Sequence, residues 1–195
     1  MPTSASHFES RGELDPDALR EAQEGDPSAV RAVVDHHAPM VFKLLSRILG
    51  PAGQQTHVDD LAQETMLRVV QAIPRFTPEG PAKLSTWILT IATRLALQHL
   101  RRRRPNVVDV EPTTLPSSGA TPEALLSAAQ LRSQVQAVVA AMSPELRAAF
   151  VLSDAHGLSP TEVADALEIP PATARTRIHR ARARIRAALD RGDSA

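Results

Sequence analysis

The chain contains no cysteine, which excludes disulfides and thiolate-bound zinc. It has no tyrosine, one tryptophan and four phenylalanines, so any core must be built from leucine, valine, isoleucine and alanine. No apolar run approaches the roughly 20 residues that a membrane-spanning helix needs. The N-terminal stretch also lacks the basic-then-apolar order of a secretory leader. Walker loops, glycine-rich dinucleotide turns and nucleophile elbows are missing. No strand-like alternation survives a pass along the chain either. These absences predict an all-α, intracellular protein of the cytoplasm, with no cofactor, no metal, no catalytic residues and no membrane insertion.

Net charge is also absent: 22 basic residues balance 22 acidic ones. The balance hides an asymmetry. Twelve of the 22 bases lie in two short stretches, Arg94 with Arg101 to Arg104, and Arg175 to Arg191. Residues 1–35 carry eight acids against three bases. The total argues against a polyanionic partner, whereas the distribution argues for one.

What is present in quantity is helix punctuation. Asp15-Pro16 and Asp26-Pro27 each place a capping aspartate before a proline at the first helical position, and Gly25 stops the first helix. Val30, Val33, Val34, His37, Val41, Leu44, Leu45 and Ile48 then recur at three- and four-residue spacing, an amphipathic helix that Pro39 should kink or break. A loop at 50–56 precedes a second long helix over Val58 to Ile73. Residues 74–83, with three prolines and a glycine, form another loop. Ser85 is expected to cap a helix through Trp87, Ile88, Ile91, Leu95 and Leu100.

Composition changes at Pro105, and Pro105 to Ala120 reads as a Pro/Ser-rich linker. Helix restarts at Thr121-Pro122-Glu123, with Leu125, Leu126, Val135, Val138, Val139 and Met142 as its apolar stripe. Ser143-Pro144 opens the next helix, which Gly157 ends. The expected organisation is a disordered start (1–14), a helical domain (15–104), a linker (105–121) and a second small helical domain (122–190).

Residues 157–186 are the most informative. Ser159-Pro160-Thr161-Glu162 is a capping box that opens a short helix. Ile169-Pro170-Pro171 turns the chain, and a longer helix follows with Arg175, Arg177, Arg180, Arg182, Arg184 and Arg186. This is the layout of a helix-turn-helix, whose second helix lies in the major groove. Early guanidinium groups can reach base edges, and later ones meet phosphates. Only Asp190 supplies an acid between Arg175 and Arg191, so pairing within the helix cannot account for the run.

The string from Gly157-Leu158-Ser159 through Ala172-Thr173-Ala174-Arg175-Thr176-Arg177-Ile178-His179-Arg180-Ala181-Arg182 resembles region 4 of the bacterial RNA polymerase sigma factors, extracytoplasmic-function group. The resemblance implies that Thr173, Arg175, Thr176, His179 and Arg180 meet the minus-thirty-five element. Ala172 stands where the family usually has glycine, which puts the entry to the helix in question. Asp59-Asp60-Leu61-Ala62-Gln63-Glu64 resembles the family's region 2 helix, which binds a clamp helix pair of the polymerase. This implies core-polymerase contacts at Asp59, Asp60, Leu61, Gln63 and Glu64.

Ser85-Thr86-Trp87-Ile88-Leu89 onward, ending in Arg101 to Arg104, resembles the helix that grips the opened minus-ten strand, with a preceding loop holding an extruded base. The implied contacts are Phe76, Lys83, Trp87, Arg94, Gln98, Arg101 and Arg102. Cationic tracking plus an aromatic platform suits a single strand, although the Trp87 ring is equally at home in a core. Arg94 replaces the family's usual asparagine and Gln98 its usual aspartate, which puts the minus-ten base preference in question. The implied partners are core RNA polymerase, promoter DNA as duplex and opened strand, and an anti-sigma factor.

Two rival readings differ in class. A free-standing helix-turn-helix regulator would leave the Asp60–Glu64 helix and the strand-gripping helix without a role. A metal-dependent phosphoesterase would use Asp35-His36-His37, but adjacent histidines on a helix cannot both face one metal. His7, His57 and His99 are scattered, and His156 before Gly157 is read as a helix-terminal cation favoured by the dipole.

Overall fold

The computed structural model describes residues 14–102 and 133–192. The expected linker, the helical restart at Thr121 and the guanidinium groups of Arg103 and Arg104 lie outside the described residues. Within them no strand occurs, and the chain is all-α as the sequence predicts.

Capping residues set most of the element starts. Helix α1 (Pro16–Glu24) begins at Asp15, whose carboxylate accepts from the Asp17 N–H, and stops at Gly25 with φ 92°. Helix α2 (Pro27–Leu49) begins at Asp26, which accepts from the Ser28 and Ala29 N–H groups. The Ser28 hydroxyl, with help from those N–H groups, holds the Asp26 carboxyl below its usual range. Pro39 does not break α2, which runs 23 residues through it. Pro39 and Asp35, the residue whose carbonyl loses its donor, are both exposed, so water can take the missing bond.

Helix α3 (Val58–Ala72) precedes the proline loop, and helix α4 (Leu84–Arg102) follows it. Ser85 is not the cap of α4. The helix starts at Leu84, which is buried, and the Trp87 N–H donates to the Lys83 carbonyl at 3.0 Å, so Ser85 falls inside the first turn. The remaining elements are α5 (133–140), α6 (Pro144–Phe150) with a π-turn over Val151–Ala155, α7 (Pro160–Leu167) and α8 (Pro171–Gly192).

Helices α1, α3 and α4 surround α2, and α6 and α7 pack on α8. The two halves then meet, with α7 lying on α4 and the end of α6 on α2. Buried Leu44, Leu45, Ile48, Leu49, Ile88 and Leu89 of the first half join Ala148, Leu152, Val163 and Ala166 of the second in one apolar cluster.

A buried arginine ties this junction. Arg147 is 3% exposed. Its guanidinium donates to the Ile48 carbonyl at the end of α2 (2.7 Å) and to the Val139 (3.0 Å), Ala140 (2.8 Å) and Met142 (2.9 Å) carbonyls that close α5. Helix C-termini leave carbonyls without intrahelical donors, and this side chain serves two such ends together. Arg147→Ala removes this donor from all four carbonyls, of which Val139 alone keeps the Met142 N–H at 3.2 Å, and should cost about 3 kcal/mol. Urea unfolding followed by circular dichroism measures the loss, and Arg147→Lys should not restore it, because an ammonium cannot span both ends.

His156 departs from its expected role. Burial, reinforced by the nearby Arg47 and Lys43 charges, lowers its imidazole from 6.5 to about 4. It is therefore neutral at physiological pH rather than a cation stabilised by the helix dipole. The unfolded chain binds this proton more tightly than the folded one. Its contribution to stability is complete above about pH 6.5 and drains away as the pH falls towards 4. Between pH 7.5 and 5 the loss is on the order of 2 kcal/mol. Urea midpoints at those two pH values should lie closer together in His156→Gln than in the parent chain.

Candidate nucleic-acid and polymerase interfaces

The first candidate surface lies on α3. Asp59 and Asp60 stand exposed in its first turn, where the helix dipole favours carboxylates. Gln63 is exposed, and the half-buried Glu64 receives Arg68 at 2.6 Å. Leu61, expected to face a partner, points inward and is 6% exposed. The exposed leucine of this helix is instead Leu67, 63% exposed, which sequence reasoning missed. Asp60, Gln63, Glu64 and Leu67 follow i, i+3, i+4, i+7 spacing and so form one stripe. The signal was legible, because Leu67 falls off the Leu61–Val69 core stripe.

The second surface is the loop before α4 and the outward side of α4. The half-buried Phe76 and Trp87 rings meet with centroids 5.1 Å apart, tilted at 43°. The two rings thus pack on each other while each keeps part of its surface open. Gln23, which the sequence reading passed over, reaches across from α1 and donates to the Phe76 carbonyl at 2.6 Å and the Ile73 carbonyl at 3.2 Å. It fixes the loop from behind, and no local pattern links positions 50 residues apart. Gly80 closes the loop with an N–H to the Thr77 carbonyl at 3.0 Å. A Cβ there would stand 2.9 Å from that same oxygen, so the turn requires glycine. Lys83, Gln98, Arg101 and Arg102 are exposed. Arg94, also exposed, is engaged by α7.

The third surface is the helix-turn-helix. The Ser159 hydroxyl accepts from the Glu162 N–H at 3.3 Å, while the Glu162 carboxylate accepts from the Ser159 N–H at 2.8 Å. The capping box predicted from sequence is complete. Glu168 then turns the chain in the left-handed region, φ 55°, and α8 begins at Pro171. Ala172 sits in the first turn of α8 rather than in a left-handed turn position, so the helix entry does not need the family's glycine.

Ala174, Ile178 and Ala181 are buried against the earlier helices. That orientation leaves Arg175, Thr176, His179 and Arg180 exposed on the opposite side, with Thr173 half-buried beside them. The Thr176 hydroxyl donates back to the Ala172 carbonyl at 2.9 Å. One arginine of the run does other work. Arg182 donates to both Asp154 carboxylate oxygens (3.0 and 3.2 Å) and to the Ser153 hydroxyl (3.2 Å), holding α8 to the π-turn.

Asp35-His36-His37 does not converge on a metal. Asp35 faces solvent near Arg31 (3.8 Å), and His37 is buried in the core at 3% exposure.

These three surfaces coincide with two family profiles. Residues 33–105 match Sigma-70 region 2 and residues 132–185 match Sigma-70 region 4. The chain is 32% identical over 177 residues to the ECF RNA polymerase sigma-E factor of Escherichia coli K12, covering 86% of this chain and 90% of that protein. It is 29% identical over 181 residues to the ECF RNA polymerase sigma factor SigW of Bacillus subtilis, covering 88% and 94%. It is also 33% identical over 168 residues to the ECF RNA polymerase sigma factor SigE of Mycolicibacterium smegmatis, covering 83% of this chain but 63% of that longer protein.

Among solved structures, CnrH in complex with the cytosolic domain of CnrY shares the fold with a TM-score of 0.61 at 24% identity, covering 89% of this chain and 96% of that one. A helical chain that carries a region 2 and a region 4 is a sigma factor in class. This chain belongs to the ECF RNA polymerase sigma factors. It is a transcription initiation factor, not an enzyme.

Proposed function

We propose that the three surfaces divide the work of promoter-directed initiation among themselves. The α3 stripe (Asp59, Asp60, Gln63, Glu64, now with Leu67) docks on core RNA polymerase. Acidic and amide groups around one exposed leucine suit a basic, helical partner with an apolar centre. The loop with Phe76 and Lys83, and the α4 face with Trp87, Arg94, Gln98, Arg101 and Arg102, meet the opened minus-ten strand. Arg175, Thr176, His179 and Arg180, with Thr173 at the helix start, read the minus-thirty-five duplex. The domains at 15–104 and 122–190 carry the first two tasks and the third respectively, in the cytoplasm where the polymerase works. An anti-sigma factor completes the partners, as in the solved complex of the sigma factor RpoE with the anti-sigma factor NepR from Bartonella quintana.

The observation that carries the reading is the exposed Arg175–Arg180 face of α8 in the same chain as the acidic α3 stripe around the exposed Leu67. A free duplex-binding regulator would need only the first. The test is co-elution with core polymerase, followed by sequencing of the transcripts made from genomic DNA.

Asp60→Lys should abolish co-elution and leave the fold intact by circular dichroism. Arg175→Ala or Arg180→Ala should weaken holoenzyme recognition of the minus-thirty-five element by about 1–3 kcal/mol. Arg186→Ala should instead lower affinity evenly across sequences. Normal assembly by Asp60→Lys, or equal losses on cognate and scrambled duplex for Arg175→Ala and Arg180→Ala, would refute these assignments.

A further inference from the structure

His57 and His99 stand far apart along the sequence, yet the fold brings their rings together. The ring centroids lie 4.7 Å apart and the planes are tilted at 50°, so the rings are not stacked face to face. His57 closes the short 3-10 turn Gln55–His57 in front of α3, and His99 lies in the last turn of α4. The His57 N–H donates to the Gln54 carbonyl at 3.1 Å, so one tight turn carries both the Gln54 and the His57 side chains. The next residue after each histidine, Val58 or Leu100, is buried and anchors its backbone. Gln54, His57 and His99 are themselves half-buried, within reach of an ion from solvent. The Gln54 Oε1 stands 3.4 Å from His99 Nε2, which is longer than a well-made N–H···O hydrogen bond. It matches the separation of about 3.4 Å between neighbouring ligand atoms on a tetrahedral ion bound at roughly 2.0–2.1 Å. Two imidazoles that share such an ion bring their ring centres to about 5 Å, close to the spacing of this pair.

We propose that Gln54, His57 and His99 form a binding site for one divalent late transition ion, zinc being the simplest, with water at the fourth position. Imidazole ligands select such ions over magnesium and calcium. Among the described residues no third histidine or carboxylate joins the pair, so the Gln54 amide oxygen is the third ligand. The ion enters between His99 Nε2 and Gln54 Oε1, where the long hydrogen bond gives way, and His99 keeps its proton on Nδ1. A ligand set with neither thiolate nor carboxylate holds the ion exchangeably, unlike the closed four-ligand sites of structural zinc. None of the three residues is among the polymerase or DNA contacts proposed above. The bound ion ties the start of α3, where Asp59 and Asp60 stand, to the end of α4, where Gln98, Arg101 and Arg102 stand. The tie is made and broken with the metal supply.

The test uses the full chain, freed of any affinity tag and stripped with a chelator, and zinc chloride as the probe. Calorimetric titration should show one equivalent bound. Free zinc at about a hundredfold above the dissociation constant should raise the melting temperature by about 5 °C. In ring-15N spectra, substoichiometric zinc should move the nitrogens of His57 and His99 and leave those of His36 and His179 in place. His57→Gln and His99→Gln should each weaken binding by at least about tenfold, whereas His36→Gln should leave it unchanged. The ring spectra of the parent chain decide the matter if a variant loses helical signal. No binding by the parent chain, zinc-induced shifts confined to other histidines, or unchanged affinity in a well-folded His57→Gln/His99→Gln double variant overturns the site. Full affinity in Gln54→Ala overturns the place of the amide in it.

Discussion

The arrangement of the two halves depends on a buried guanidinium that serves helix ends belonging to different parts of the chain. Arg147 sits in α6, yet its donors close α5 and the C-terminus of α2, 99 residues away in sequence. Burying a cation is costly. Here the cost is offset because the buried Ile48 and Met142 carbonyls gain a donor, and because several charge-assisted bonds converge on one planar group. The apolar contacts between Leu44, Ile48, Leu49 and the alanine-rich face of α6 supply attraction without direction. Arg147 supplies the direction, since only one orientation of α6 against α2 satisfies all its donors.

Among the described residues, Arg94, Arg147 and Arg182 each bind a group on another helix, and each acts at a helix end or junction. Arg94 terminates α7, Arg147 terminates α2 and α5, and Arg182 secures α8 to Asp154. Arginine count alone therefore overstates the cationic surface. The groups that α8 leaves exposed are defined by what Ala174, Ile178 and Ala181 bury behind them. Those small residues let the helix approach its neighbours closely and so fix which side of it faces outward.

Most of the fold was legible in the sequence because its signals are local. The capping residues Asp15, Asp26, Ser143 and Ser159 each precede a proline, and all four mark real helix starts. The Arg175–Arg180 face follows from the apolar period behind it. Ser85 misled because a good capping residue lost to the burial of the neighbouring Leu84. Pro39 does not end α2, because an exposed helix side lets water replace a lost bond. The roles of Gln23, Arg94 and Arg147 were out of reach, since each bonds to backbone carbonyls far along the chain. A carbonyl has no residue identity, so no sequence pattern announces such a partner. His156 was misjudged for a related reason, as its neutrality comes from burial against α2 rather than from its own helix.

The π-turn at Val151–Ala155 makes α6 a helix of two phases. Each residue of an α-helix advances the side-chain direction by about 100°, and a wider turn resets that count for everything after it. Before the turn, Arg147 addresses α2 and α5, while Leu146 packs between α5 and Ala181 of α8. After it, Ser153 and Asp154 address Arg182 on α8. The helix and its π-turn together thereby tie the first half of the chain to α8, and Asp154 helps to set the angle at which α8 is held.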